Sequence, residues 1–338
     1  MNACVEVLPF EAERATPAEL TALYELSTAA QVQDHEHPVL LDYQAWVSAL
    51  SQPAAGLGPR RTWVVRRDGE LVARAVAYFP DNENGHFALT EITVAPRRRR
   101  EGVGKAVLRA LLPELESHGR SVVEGWDLAK DGAGHRWAID VGLHTAKSTV
   151  AQTLKIENVD RSRWDVPVPD GYRLVAWAGT APEELVSTYA QALFAMRDAP
   201  VEDSDYRFAD WTAARVREEE AARQEQGVVQ RVVVAIDENT GNAVAVTQMD
   251  VYETYPTWGI QQDTAVVPAH RGHGLGRCVK AHMLRLLLSE RPEVDRVFTN
   301  VNAGNEHMMR VNDQIGFTTT ATTVAVSAEI AELRARLG

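Results

Sequence analysis

Two short stretches of the sequence, about half the chain apart, combine arginine and glycine at the same spacing. RRREGVG runs from Arg98 to Gly104, and HRGHGLG runs from His270 to Gly276. The first four N–H groups of a helix lack partners within the helix and carry about half a positive charge, and glycine lets an anion approach the backbone. Because a helical pattern follows each stretch, the sequence predicts diphosphate-binding turns at Arg99–Gly104 and Arg271–Gly276.

A ligand-free joint between a strand and a helix is the simpler interpretation of one such turn. The arginine, both glycines, the preceding Val-x-Pro and the duplication together favour a phosphate site. Two other nucleotide-binding patterns do not fit. The sequence lacks the third glycine of the Rossmann pattern, and it also lacks the Lys-Ser/Thr pair of the Walker A pattern.

The two turns belong to a longer repeat that divides the chain into two similar halves. Glu91–Leu112 aligns without a gap on Asp263–Leu284, an offset of 172 residues. Each half reads as strand, two helices, three strands, the turn, then helix, strand, helix and strand. The prolines and the Asp-Gly pair of DVPVPDG interrupt these patterns. We therefore predict domains at 1–165 and 172–338, joined by a linker at 166–171.

The repeated stretch of the second half, together with a later motif, resembles a known superfamily. Asp263–Gly276 matches the acyl-CoA motif Arg/Gln-x-x-Gly-x-Gly/Ala of the GNAT N-acyltransferases, and Asn302–Phe317 matches their later Asn-helix-Gly-Phe motif. The resemblance is strong in the second half and partial in the first. The whole chain resembles a tandem GNAT protein, similar in architecture to actinobacterial mycothiol synthases, without identifying mycothiol as the acceptor.

The resemblance implies a mixed α/β fold of the α+β type and a mode of coenzyme binding. Each domain is expected to hold a mostly antiparallel twisted sheet, flanked by helices, that splays where acetyl-CoA binds. The pantetheine arm would pair with the exposed strand edge, and the N–H of Thr264 would also polarise the thioester carbonyl. The coenzyme-binding residues implied are Thr264, Ala265, Val266, Arg271, Gly272, His273, Gly274, Leu275, Gly276 and Asn305, with Val94, Arg99, Arg100, Gly102, Val103 and Gly104 in the first half.

Two departures from the family pattern concern the late motif. Many members have a Tyr before the Gly-Phe pair that is thought to protonate the leaving thiolate, and this chain has Asn312 there. The first half departs further, since Asp131, Ala138 and Leu143 stand where the second half has Asn305, Asn312 and Phe317. We therefore expect catalysis in the second half, while the first binds acyl-CoA without turnover or is itself active.

An amine nucleophile must lose a proton, so a base near the acceptor is useful. The positions that often carry the family's base hold Gln262 and Ile260, and Asp263 is the nearest carboxylate. We expect Asp263 to orient the acceptor or to relay its proton through Gln262 or water, depending on a bulge that the family often has here. Glu91 is the corresponding candidate in the first half. The alternative for Asp263 is a local bond to the backbone.

Composition bounds the remaining possibilities. The chain has 338 residues and a net charge of −12, which argues against nucleic-acid binding and mildly favours a cationic small molecule. Because no apolar run is long enough for a membrane span and no basic-then-apolar segment opens the chain, we expect neither a membrane span nor a secretion signal, and the distant Cys4 and Cys278 form no metal motif. We expect a cytoplasmic monomer or homodimer without a metal.

The favoured function is acetyl transfer from acetyl-CoA to a primary amine of a small molecule by direct attack. A protein or peptide N-acetyltransferase is a second possibility, and an open acceptor groove would favour it. The third is a non-catalytic acyl-CoA sensor or scaffold, which the missing Tyr leaves open.

Overall fold

The computed structural model describes residues 5–35, 38, 40–51, 57–199, 202–253 and 255–338. The first half has the predicted order of elements: β1 (Val5–Phe10), α1 (Pro17–Asp34), α2 (Tyr43–Ser51), β2 (Arg60–Arg67), β3 (Glu70–Tyr78), β4 (Phe87–Val94), α3 (Val103–Ser117), β5 (Val122–Ala129), α4 (Ala133–Val141) and β6 (His144–Lys155).

The second half repeats this order and adds a final helix. Its elements are β7 (Tyr172–Ala178), α5 (Val186–Phe194), α6 (Ala213–Glu225), β8 (Val228–Asp237), β9 (Ala243–Tyr252), β10 (Trp258–Val266), α7 (Leu275–Glu290), β11 (Arg296–Asn302), α8 (Glu306–Ile315), β12 (Thr318–Glu329) and α9 (Ile330–Leu337).

The chain forms two compact units that exchange segments. The first unit comprises Met1–Thr149, Val201–Arg207 and Ala321–Gly338, and the second comprises Val150–Pro200 and Phe208–Thr320. The stretch 166–171 therefore lies within the second unit. The exchange follows from strand pairing, because Thr323–Glu329 of β12 runs antiparallel to β5.

The predicted mixed α/β fold is confirmed. In the first unit the strand order is β1-β2-β3-β4-β5-β12, and in the second it is β6-β11-β10-β9-β8-β7. The paired registers are antiparallel except at β4–β5 and β10–β11, which are parallel. These two parallel pairs lie next to the two turns singled out in the sequence.

The amphipathic helices that follow the turns pack their apolar faces into the hydrophobic cores. The apolar positions that share one face of each helix by their spacing are all buried: Val103, Val107, Leu111 and Leu115 in α3, and Leu275, Val279, Met283 and Leu287 in α7. In the first unit, α3 packs on a row of alanines in β3, whose small side chains let the helix approach the sheet. This packing fixes the helix N-terminus beside the end of the preceding strand.

The N-terminal caps of the first helices differ between the two halves. Thr16 forms a complete capping box with Glu19 at the start of α1. Thr180 is the corresponding residue before α5, with Glu183 three residues later, but it does not cap that helix. That helix begins at Val186, and its N-cap residue Leu185 makes no side-chain cap bond.

Replacing Thr16 with Ala is expected to lower the free energy of unfolding of the first unit by about 1 kcal/mol. The Thr16 hydroxyl accepts a hydrogen bond from the Glu19 N–H, and that donor loses its partner in the variant. Thr21→Ala is the matched control, because this hydroxyl only bonds back to the Pro17 carbonyl on the same helix. Urea denaturation compares them, and equal destabilisation by both would contradict the role of the cap.

Candidate functional site

The two turns open the N-termini of α3 and α7 with the same backbone geometry. Gly102 and Gly274 occupy the N-cap positions with φ of 80° and 76°, in the left-handed region that favours glycine. A Cβ on either glycine would meet no atom within 4 Å. Gly272 also has a left-handed φ of 86°, whereas its first-half counterpart is Arg100 at 66°. The helix N–H groups therefore face open space that an anion can occupy.

The repeated arginine of each turn braces the turn with its side chain. Arg271 Nε donates to the Val266 carbonyl at 3.0 Å, and its Nη2 lies 2.5 Å from Asp198 Oδ2. The first half repeats the pattern, as Arg99 donates to the Val94 carbonyl at 3.2 Å and pairs through both Nη atoms with Asp34. These guanidinium groups tie the turn to the strand end and leave the backbone to face a ligand.

The arginine run of the first half is largely neutralised within the unit. Arg97 and Arg98 pair with Glu70, and Arg98 also lies 3.8 Å from Glu101. Arg100 makes no ion pair with any residue that the structure describes. It is therefore the arginine of the run that is available to an external anion.

Both strands that lead into the turns splay from their parallel neighbours. β4 pairs with β5 only from Phe87 to Leu89, although it continues to Val94. β10 pairs with β11 only from Trp258 to Ile260, although it continues to Val266. In each unit a strand edge thus diverges from its neighbour just before the open helix N-terminus. Ile92 and Val94, and Thr264–Val266, lie on these edges.

A bulge interrupts β10 at the predicted base. Gln261 opposes Met249 and Thr264 opposes Thr247, so β10 carries one extra residue between these pairs. A bulge lets two successive residues take the same side of a sheet. β4 pairs with β3 in unbroken register through Glu91, so the first unit has no corresponding bulge.

Gln262 and Asp263 lie beside a polar cluster on the α5 side of β8–β10. Gln262 Nε2 donates to Asp250 Oδ2 at 3.0 Å, and Gln230 Nε2 donates to Asp250 Oδ1 at 2.8 Å. Gln248 Nε2 donates to the Tyr189 hydroxyl at 2.6 Å. The second-unit polar cluster is the name we give to the following residues: Gln262, Asp263, Asp250, Gln230, Gln248, Tyr189 and Arg223. The sequence pointed to Gln262 and Asp263 but gave no sign of Gln230 and Gln248, since single polar residues in apolar strands carry no motif.

Burial controls the acid–base chemistry of this cluster. It raises the pKa of Asp263, while Arg223 opposes and Asp250 reinforces that rise. It also raises the pKa of Asp250, which Arg223 and the two glutamine amides partly offset. A carboxylate with a raised pKa is a stronger base once ionised, so the arrangement can accept a proton from an amine.

The Thr264 side chain lies in a second set of hydrogen bonds. Its Oγ1 is 2.7 Å from Thr247 Oγ1, which also accepts a bond from Gln261 Nε2 at 2.9 Å. Gln261 Oε1 is buried and has no partner in the described part of the chain. These bonds fix the strand at the point where the splay begins.

The residues of the late motif hold structural positions. Asn305 caps α8, its Oδ1 accepting from the Met308 N–H at 3.1 Å. Asn312 is fully buried and donates to Gln152 Oε1 at 2.8 Å, while its own Oδ1 is unpaired among the described residues. An amide cannot replace the missing tyrosine as an acid.

Other side chains around the turns contribute little to a ligand surface. Leu275 and Val103 are buried in the cores, so only their backbones are available to a coenzyme. His270 Nδ1 lies 2.9 Å from the Tyr172 hydroxyl, and His273 is exposed beside the same ring. Cys278 is a buried free thiol, and Cys4 lies outside the described residues.

Two adjoining cavities flank the splayed strand of the first unit. The basic pocket, about 310 Å³, lies at the helix N-terminus and is lined by Arg98–Arg100, Gly102–Lys105 and Arg136. The first-unit chamber, about 540 Å³, is lined by Trp46, Trp126, Trp137, Arg74, Glu91 and Asp127, among others. Both share Ile92 and Thr93 of β4 and Trp137 of α4. A phosphate-bearing group in the pocket would thus adjoin the chamber along the strand edge.

Equivalent positions of the two units differ in polarity beside the late helix. Leu108, Ala138 and Leu143 line the first-unit chamber. Their counterparts in the second unit are Lys280, Asn312 and Phe317. Lys280 is buried with its Nζ 5.5 Å from the Phe317 ring centroid, and burial lowers its pKa to about 7.

Replacing Lys280 with Met is expected to stabilise the second unit by about 3 kcal/mol at pH 8. An unfolded chain keeps this lysine protonated up to about pH 10.4, whereas the folded chain releases the proton near 7. Between these values the unfolded state binds one more proton, so this lysine makes stability rise with pH by up to ~1.4 kcal/mol per unit.

The measurement is thermal unfolding at pH 7, 8 and 9. Lys280→Met should flatten the pH dependence, while Lys155→Met, an exposed lysine of the same unit, should leave it unchanged. A variant slope as steep as that of the original chain would show that Lys280 is charged in the folded state.

Within the described residues, no group of three or more His, Cys, Asp or Glu could hold a metal ion. The described helices likewise include none with the length and hydropathy to span a membrane.

Splayed strands beside glycine-opened helix N-termini, present twice, define the class of this protein. Residues 20–134, which contain the first turn, match the family described as Acetyltransferase (GNAT) family. These residues carry the GNAT family pattern, and the chain as a whole is similar to tandem GNAT proteins. This match falls in the half whose late motif departs more from the family pattern.

Individual relatives support this assignment over most of the chain. A mycothiol acetyltransferase of Mycolicibacterium vanbaalenii is 27% identical over 283 residues, covering 81% of this chain and 85% of that protein. A tandem GNAT protein from the clavulanic acid biosynthesis pathway superposes with a TM-score of 0.76 at 24% identity, covering 97% and 99%. A GCN5-related N-acetyltransferase from Sphaerobacter thermophilus gives 0.70 at 15% identity, covering 96% of each chain. The two structural matches show the same fold.

Proposed function

We propose that this protein transfers acetyl from acetyl-CoA to a primary amine of a small molecule by direct attack. The observation that carries the proposal is the splayed edge of β10, which leads into the open N-terminus of α7. A diphosphate at the helix N-terminus would let the pantetheine run along the strand edge. The thioester would then lie near Thr264, next to the second-unit polar cluster.

In the proposed reaction the free amine of the acceptor attacks the thioester carbonyl, and the C–N bond forms. The N–H of Thr264 stabilises the oxyanion of the tetrahedral intermediate. The C–S bond then breaks and CoA leaves as a thiolate, which takes a proton from solvent because Asn312 cannot supply one. Asp263 accepts the proton that the amine nitrogen loses, directly or through Gln262 or water.

The acceptor is proposed to be cationic before it reacts. Asp250 and Asp263 place two carboxyl groups in the cluster, with Arg223 as the counter-charge. A protonated amine can pair with them and lose its first proton to solvent, which leaves Asp263 free to accept the second proton when the amine attacks. The chain's net charge of −12 adds long-range attraction for a cation.

The first unit is proposed to bind acyl-CoA as well. Its basic pocket and its splayed edge at Ile92–Val94 provide the same features. Glu91 is exposed on β4 and aligns with Asp263 of the second half. It is therefore the base if the first unit also catalyses acetyl transfer.

A non-catalytic acyl-CoA sensor is the second candidate, favoured by the burial of Asn312 against Gln152 where an acid would be expected. Release of CoA from acetyl-CoA, measured across a panel of small amines and amine-bearing peptides, separates the possibilities. Amine-dependent release with small amines supports the proposal. Release only with peptides would favour the peptide acceptor, and binding without release would favour the sensor.

A further inference from the structure

The first-unit chamber holds an arginine that forms no ion pair with any described residue. Arg74 projects from β3 and lines the chamber, and its Nε is buried with no hydrogen-bond partner among the described residues. No described carboxylate lies within 4.0 Å of its guanidinium, although Glu91 acts on it from farther away. Burying a charge without a partner is costly, and burial lowers the pKa of Arg74.

A second polar group in the same chamber is also unpaired. Ser27 of α1 lines the chamber, and its buried Oγ has no hydrogen-bond partner within the described chain. Buried polar groups in folded proteins are nearly always hydrogen-bonded. Arg74 and Ser27 together offer unpaired donors to whatever occupies the cavity.

None of the described carboxylates around the chamber forms an ion pair with Arg74. Asp34 is held by both terminal nitrogens of Arg99. Glu91 is exposed. It lies on the same face of the sheet as Arg74, because Arg74 pairs with Thr93, and residues two apart on a strand, such as Thr93 and Glu91, point to the same side. Burial raises the pKa of Asp127, which favours its neutral form. Arg74 is thus the charged group best placed to meet an anion.

Aromatic side chains give the chamber its apolar walls. The Arg74 guanidinium lies 5.8 Å from the Trp46 ring centroid, which orients the cation by a cation–π contact. Trp126 is fixed by a 2.7 Å bond from its Nε1 to Glu124 Oε2. Trp137 lies over Gly104, whose Cβ position is 3.2 Å from its ring. Flat apolar groups fit between such indoles.

We propose that the first-unit chamber binds an aromatic carboxylate, its carboxylate bound by Arg74 and its ring packed against Trp46 and Trp126. The Ser27 hydroxyl donates a further hydrogen bond to the anion. The counterpart of Arg74 in the second unit is Val246, which is buried in the core, so this anion site belongs to the first unit alone. It is independent of acetyl transfer in the second unit.

The test uses phenylacetate as the probe, with 2-phenylethanol and phenethylamine as neutral and cationic analogues of similar shape. Binding to the full chain is followed by the fluorescence of the indoles that line the chamber. Phenylacetate should bind at least about tenfold more tightly than either analogue, because a charge-assisted hydrogen bond forms only with the anion. Equal affinity for the three, or a preference for the amine, would overturn the proposal.

Two variants localise the effect. Arg74→Met should weaken phenylacetate about tenfold or more while leaving 2-phenylethanol unchanged. Arg61→Met, on the neighbouring strand and paired with Glu114 outside the chamber, is the matched control and should change neither. Equal losses of phenylacetate in both arginine variants would contradict the assignment.

Glu91→Gln is expected to change the phenylacetate affinity in the opposite direction, so it tests the proposal even if Arg74→Met does not fold. Removing this exposed carboxylate abolishes the charge that competes with the anion for Arg74, so phenylacetate should bind a few-fold more tightly. Weaker binding of phenylacetate to Glu91→Gln would overturn the proposal.

Discussion

Replacing Asp263 with Asn is expected to lower kcat/KM for acetyl transfer by about 10²-fold or more. The bulge in β10 brings Asp263 to the polar cluster beside the splayed edge, and burial raises the pKa of its carboxyl. Asn has nearly the same shape but cannot accept the amine proton. The measurement is the initial rate of CoA release with an amine that the original chain acetylates.

The pH profile of the same reaction separates a base from a structural role. In the original chain kcat/KM should rise with pH through a limb above the usual range of an aspartate, because the ionised form is the active one. Asp263→Asn should remove that limb. Asp313→Asn, an exposed aspartate on α8 of the same unit, is the matched control and should keep both rate and limb.

Two outcomes would contradict this role. An unchanged kcat/KM in Asp263→Asn would show that Asp263 has only a structural role. A large loss in Glu91→Gln, with Asp263→Asn unaffected, would move the reaction to the first unit.

Replacing Gly274 with Ala is expected to weaken CoA binding to the second unit by at least about tenfold. The glycine has φ of 76°, and a Cβ there would project into the open space that the diphosphate would fill. A non-glycine residue in this conformation also costs about 1–2 kcal/mol of stability. The experiment must therefore separate strain from loss of the anion site.

Gly241 provides that control. It has φ of 74° in the turn between β8 and β9, and a Cβ there also meets no atom within 4 Å. Gly241→Ala should lower the thermal stability as much as Gly274→Ala does, while calorimetry with CoA should show no loss of affinity. Equal affinities in the two variants would show that the turn of α7 does not bind the phosphates.

The first unit contains the same matched pair. Gly102 has φ of 80° at the start of α3, and Gly69 has φ of 81° in the hairpin between β2 and β3, both in open surroundings. A loss of CoA binding specific to Gly102→Ala would show that this unit also binds the coenzyme.

Local patterns were sufficient to predict the order of elements and the turns. Helical spacing placed Leu275, Val279, Met283 and Leu287 on one buried face, and Arg-x-x-Gly-x-Gly placed Gly274 at the helix N-cap. Both follow from short-range geometry that the sequence encodes directly.

Long-range pairings could not be read in the same way. The pairing of β12 with β5 depends on which strand edge is free, and residue spacing in the sequence does not predict that. The Arg271 guanidinium bonds to the Val266 carbonyl and to Asp198, which lies 73 residues away along the chain. The arginine motif gave no sign of this partner.

The polar cluster shows the same limit at the candidate site. Gln230, Gln248 and Tyr189 come from separate elements and each lies in an apolar pattern. Their grouping depends on the pairing of β8 with β9 and on the packing of α5 over them. The sequence placed Asp263 nearby, but only the bulge decides which groups it meets.

Titration calorimetry of the full chain with CoA tests the central claim most directly. The open N-termini of α7 and α3 predict saturable binding that Gly274→Ala weakens at one site and Gly102→Ala at the other, while Gly241→Ala and Gly69→Ala leave both sites intact. Absence of CoA binding to the original chain, or binding that both turn variants retain in full, would contradict it.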